Sequence, residues 1–183
     1  MNADTISEIR GIAVVTSDKG TNLGPVTQIY IDPETKKLSA LLLRNQKNGK
    51  TSYVANDHIT LVGEDVILVQ DGTKVMELDE ERHEEELGRR LRKLRGMTVT
   101  TLEGKNLGKL EDFEHDRETR VVSRLHLEDK RSLPIEADKI TIGPDTIIVP
   151  AEYTNRIEAG SEKKGFFQRV RGWTERGEGE PTE

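Results

Sequence analysis

Acid–base or metal chemistry would fall first to four histidines, His58, His83, His115 and His126, and each stands alone. Metal sites pair their ligands at short spacing, one helical turn apart or across a tight loop, and none of the four has such a neighbour. With no cysteine in the chain, thiolate nucleophiles, disulfides and cysteine-ligated zinc or iron–sulfur centres are excluded. No Gly-x-Ser-x-Gly elbow is present, and serine, histidine and acidic residues form no grouping that suggests a nucleophile beside its base. The sequence therefore predicts no catalytic residue, no metal ligand and no cofactor, in a protein that is not an enzyme.

Binding chemistry is better represented. Residues 163–173 carry Lys163, Lys164, Arg169 and Arg171 and no acid, and on a helix Phe166, Phe167, Val170 and Trp173 share one face. Such a segment suits an anionic membrane surface or the groove of a partner, and it equally suits packing back over the chain's own apolar surface. A second basic group, Arg89, Arg90 and Arg92, follows a run of acids in residues 76–94. That order favours a helix through its dipole. The segment is either a solvated spacer or a contact for an acidic partner or lipid headgroups. Charge reversal at these three arginines is expected to weaken partner capture without lowering the melting temperature.

The elements that must position these residues come from a repeat. Arg10-Gly11-Ile12-Ala13-Val14-Val15-Thr16 matches Arg95-Gly96-Met97-Thr98-Val99-Thr100-Thr101 at an offset of 85, and after one deletion Gly20-Thr21-Asn22-Leu23-Gly24 meets Gly104-Lys105-Asn106-Leu107-Gly108 at 84. Asp32 then meets Asp116, and Leu41 and Leu43 meet Leu125 and Leu127. Within each copy, short apolar runs alternate with turn signals, as in a small antiparallel β-barrel. Strands are expected at 12–16, 26–31, 38–44, 51–54 and 66–69. Gly20, Gly24, Gly104 and Gly108 lead into strands, so they are read as backbone turns rather than as a phosphate-binding loop. Asp32 and Asp116 are read as side chains that close hairpin tips. Arg10 and Arg95, each beside a glycine, are expected to pair with carboxylates.

The pattern Arg10-Gly11 … Gly20-x-x-Leu23-Gly24-x-Val26 … Asp32 … Leu38-x-x-Leu41-x-Leu43, doubled in one chain, resembles the PRC-barrel family. The resemblance implies a mainly β protein: two PRC-like barrels at 1–75 and 95–153, joined by a charged helical linker at 76–94. A tail at 154–183 follows, with a short amphipathic helix. It also implies a role in protein binding and scaffolding. Similar domains form the cytoplasmic part of the photosynthetic reaction-centre H subunit and the ribosomal-protein-binding half of ribosome-maturation factors. The H subunit's membrane-spanning helix and the maturation factors' different N-terminal barrel are both departures from this chain.

Charged residues make up 34% of the 183, hydrophobic ones 33%, and only three Phe, three Tyr and one Trp are present. Cores are therefore expected to be aliphatic and thin, and small barrels of this kind gain from docking on each other or from dimerising. The net charge of −6 argues against direct nucleic-acid binding. No apolar run approaches the roughly 20 residues that span a bilayer. The expectation is a cytoplasmic adaptor, which the tail is able to bring to the inner face of the membrane. Its partner is a protein, with a ribosomal protein or a photosynthetic assembly as the alternatives.

Overall fold

The structure, a computed structural model, describes residues 3–72, 75–77, 85 and 87–159. The chain enters through β1 (Ala3–Thr5) and the single-turn α1 (Ile6–Ile9). Next come β2 (Ala13–Thr16), β3 (Asn22–Ile31), β4 (Leu38–Arg44), β5 (Thr51–Ala55), β6 (Ile59–Val62), β7 (Val66–Val69) and β8 (Val75–Glu77). These form a curled sheet in the order β6-β7-β2-β3-β4-β5-β8. The second repeat supplies β9 (Thr98–Thr101), β10 (Asn106–Asp116), β11 (Val122–Leu127), β12 (Ser132–Pro134), β13 (Thr141–Ile142) and β14 (Thr146–Val149), ordered β12-β11-β10-β9-β14-β13. Every pairing is antiparallel except β2 with β7 and β9 with β14, where each repeat curls back on its own first strand in parallel.

Local chemistry explains the shared elements. Asn22 and Asn106 accept the amides of Gly24 and Gly108 at 2.9 and 2.8 Å. Both glycines have positive φ, at a register shift where the long strand bends. At the hairpin tips, Asp32 Oδ1 accepts the Glu34 and Thr35 amides, while Asp116 Oδ1 accepts those of Glu118 and Thr119 and the Thr119 hydroxyl. Gly24 and Gly108 thus sit at bends inside β3 and β10 rather than in turns, while Asp32 and Asp116 close their hairpins through their side chains.

The linker departs from expectation at its start. Met76 and Glu77 belong to β8 and pair with Tyr53 and Ser52, because hydrogen bonding along the unpaired edge of β5 outweighs the helix propensity of so short a piece. Helix among the described residues of this segment is confined to Glu85 and 87–90.

The two repeats interlock. β1 lies before the first barrel in sequence, yet it joins the second, pairing Ala3, Asp4 and Thr5 with Asp116, His115 and Glu114. In return, the stretch before the second barrel bridges to the first: Arg92 and Ile31 exchange both backbone hydrogen bonds, at 2.8 and 2.9 Å. Ile9 and Leu94, which correspond in the repeat, are both 1% exposed. One continuous hydrophobic cluster runs from Ile6 to Tyr153 through both sheets. Two thin cores have become one.

Candidate interaction site

The seam between the barrels is built from their hairpin tips. Lys37 bridges to Val121, its own counterpart in the repeat. The Leu38 amide donates to the Arg120 carbonyl, and the Val122 amide to the Lys36 carbonyl, both at 3.0 Å. The two tips are thus related by a local two-fold axis, as in a symmetric dimer. Side chains break the symmetry. Arg120 reaches into the first barrel, donating to the Asn56 carbonyl at 2.9 Å, Asn56 Oδ1 at 2.7 Å and the Ile59 carbonyl at 2.9 Å. The ammonium of Lys36, its counterpart, donates locally, to the Glu34 carbonyl. Arg117 grips Asp4 of the exchanged strand with three contacts of 2.6 to 2.8 Å.

The outer faces of the sheets, turned away from the common core, differ more. On the first barrel, Tyr30, Ala40 and Leu42 form a separate apolar cluster, and Tyr53, Leu87 and Leu91 pack against it. The linker leucines therefore cover this face, with Lys93 Nζ 5.4 Å from the centre of the Tyr30 ring. Register places Glu114, Arg124, His126 and Ser132 at the matching positions of the second barrel. There Glu114 Oε1 lies 2.9 Å from His126 Nε2, and its Oε2 lies 3.8 Å from Arg124. Arg124 also contacts Glu158 at 2.5 Å and the Ser132 hydroxyl at 3.2 Å. These charged side chains remain partly exposed: 17% for Glu114, 24% for His126 and 29% for Arg124. Asp112 flanks them and accepts the Ser7 amide of α1.

The basic residues of the linker separate by role. Arg89 pairs with Glu85 at 2.7 Å on the surface, and Arg90 is exposed. Arg92 donates to the carbonyls of Gly143, Gly88, Arg89 and Leu91, so reversing its charge would leave carbonyls unmet and disturb the fold. The expectation of an unchanged melting temperature is corrected for this residue. Arg10 is corrected too: it donates to the Thr27 carbonyl and Gln28 Oε1 rather than to a carboxylate. Lys163, Lys164, Phe166, Phe167, Arg169, Val170, Arg171 and Trp173 lie outside the described residues. Among the described residues no helix is long and apolar enough to cross a membrane, and no three His, Asp or Glu side chains group as metal ligands. The polar cluster of the second barrel was not singled out from sequence. Setting residues 30, 40, 42 and 53 beside 114, 124, 126 and 132 in the repeat would have found it.

Two curled β-sheets related by an internal repeat, with glycine–asparagine bends and aspartate-closed hairpins, define a tandem small-barrel protein of the interaction class. The PRC-barrel domain model matches residues 1–76 and 87–155, and the chain belongs to that family. Its domains are general protein-interaction and scaffold modules and are generally non-catalytic. No curated protein matches the chain significantly.

Proposed function

We propose that this protein is a non-enzymatic cytoplasmic scaffold that binds a protein partner on the outer face of its second barrel. The contrast between the outer faces carries this reading. The first is spent on the chain's own linker, whereas the second presents Glu114, Arg124, His126 and Glu158 with their charges partly in solvent. Counting Asp112, the patch holds three carboxylates against one guanidinium, so it suits a partner that presents lysine or arginine. Rim charges of this kind steer association and make it salt-sensitive.

The test is affinity capture from the native host with full-length protein and with the double variant E114K/E158K. Proteins held by the wild type, released by salt and absent from the variant support the reading; the same set on both chains overturns it. Ribosomal proteins among those lost would favour the maturation-factor-like alternative, and photosynthetic proteins the H-subunit-like one.

A second reading rests on the basic, aromatic composition of residues 163–173: attachment to an anionic membrane surface on its inner face. Co-sedimentation with anionic vesicles of the full chain, but not of a chain ending at Glu162, is the expected outcome. Equal sedimentation of the two would remove it.

A further inference from the structure

The second barrel contains a buried titratable group where the first has a hydrocarbon. His115 corresponds to Ile31 in the repeat, and both are 0% exposed. The imidazole Nδ1 lies 3.2 Å from the Asp116 carbonyl. A carbonyl only accepts, so Nδ1 carries the proton of the neutral ring. Nε2 is buried and meets no hydrogen-bond partner among the described residues. A neutral, unprotonated Nε2 is tolerated in such surroundings, but a second N–H there has no acceptor, and its charge would be desolvated.

His115 is also where the exchanged arm docks: it is paired with Asp4 of β1. We propose that His115 is an acid-sensitive latch, and that charging it releases β1 and α1 from the second barrel. The arm is the part that yields, since it contributes a three-residue strand and one helical turn. It hinges at Gly11, whose φ is +87° and around which no atom lies within 4 Å of an added Cβ. Release bares the β10 edge from Glu114 to Asp116 and uncovers Ile6 and Ile9, which gives a strand or apolar segment a place to add.

The charged groups around the ring do not rescue its cation. Asp4, from β1, favours the charged form, but its carboxylate is already held by Arg117. Asp116, from the hairpin, also favours it but is bound by Glu118 and Thr119. Arg120, fixed to Asn56 and Ile59 and faced by Asp57, opposes it. Glu8 of α1 and Glu64 of the first barrel face Arg117 instead. Val122, opposite on β11, carries no charge. Burial is the largest influence and holds the imidazole below its ordinary value of 6.5. The native state therefore binds fewer protons than the open one. The latch is fully closed above pH 6.5 and weakens as pH falls below it.

Hydrogen exchange of the full chain, corrected for intrinsic rates and compared at pH 7.5 and 5.5, reads the latch directly. Opening at Asp4 to Arg10 and at His115 is expected to rise by about tenfold per pH unit below the imidazole's ordinary range, the factor set by one linked proton, while the Asp116 amide, held by the Val121 carbonyl in its own hairpin, stays protected. In His115→Ile, which copies the first barrel, and in His115→Gln, arm exchange should be flat between the two pH values. Equal protection of the wild-type arm at both pH values overturns the proposal, as does the same acid opening in either variant. Should both variants fail to fold, the wild type still decides: an NMR titration of the His115 ring must coincide with arm opening, and a ring that titrates while the arm stays closed refutes the latch.

Discussion

The two barrels share strand order, turn chemistry and the residues that bend their long strands, yet their outer faces have opposite characters. Tyr30, Ala40, Leu42 and Tyr53 make the first an apolar seat for Leu87 and Leu91, while Glu114, Arg124, His126 and Ser132 make the second a hydrogen-bonded polar surface. Apart from His115 in place of Ile31, the inner faces stay apolar, because both contribute to one close-packed core. The outer faces bear no such constraint. A duplicated barrel can devote one copy's outer face to holding the chain together and the other's to something outside it.

The comparison breaks most visibly at Tyr30. Tyr30→Ala should cost about 3–5 kcal/mol, as truncation of a buried aromatic does, whereas Glu114→Ala at the matching position should cost about 1–2 kcal/mol, the loss of charge-assisted bonds to partners that are themselves partly exposed. Urea unfolding of the two variants checks this, and equal losses would mean that the faces are energetically alike. Next is the pair of bending glycines. A Cβ on Gly24 would sit 2.3 Å from the Arg44 carbonyl oxygen, while on Gly108 it would meet only the Arg131 guanidinium at 3.9 Å. Gly24→Ala is therefore expected to lose ~3 kcal/mol or more and Gly108→Ala ~1–2 kcal/mol, the latter from backbone strain alone.

The hairpin tips offer a difference of sign. Lys36 and Arg120 share a φ of +59°, a conformation that costs a side chain about 1–2 kcal/mol. Lys36→Gly should relieve that strain and gain up to ~1 kcal/mol. Arg120→Gly should instead lose ~1–2 kcal/mol, because the bonds to Asn56 and Ile59 go with the side chain. Thermal unfolding resolves opposite signs. A loss of about 1 kcal/mol is expected for Asp4→Asn, which weakens the grip of Arg117 on the exchanged strand. It should raise hydrogen exchange in β1 while leaving Arg92 and Ile31, the reciprocal bridge, unchanged.

Much of this architecture is legible in the residues. The runs 38–44 and 66–69 are strands with those bounds, because continuous β-branched and leucine stretches between turn signals leave little else to form. Asp32 and Asp116 announce their own hairpins. Residues that answer to distant backbone are harder to read. Met76 looks helical until the β5 edge is known, and Ala3–Thr5 has too few residues to show alternation. Arg92 looks like one of three surface cations, although its four carbonyl partners include Gly143 from the other barrel. The swap of entering segments depends on the curvature of both sheets, which no local pattern encodes. The contrast between outer faces was available from the repeat, in substitutions that keep the register and invert the polarity.

Hydroxyl-radical footprinting of the full-length chain, with rates normalised to each residue's intrinsic reactivity, tests the central contrast most directly. Tyr30 and Leu42 should react slowly and His126 faster, matching one face sealed by the linker and one partly open to solvent. Tyr30 reacting as fast as His126, or His126 protected in the full chain, would contradict it.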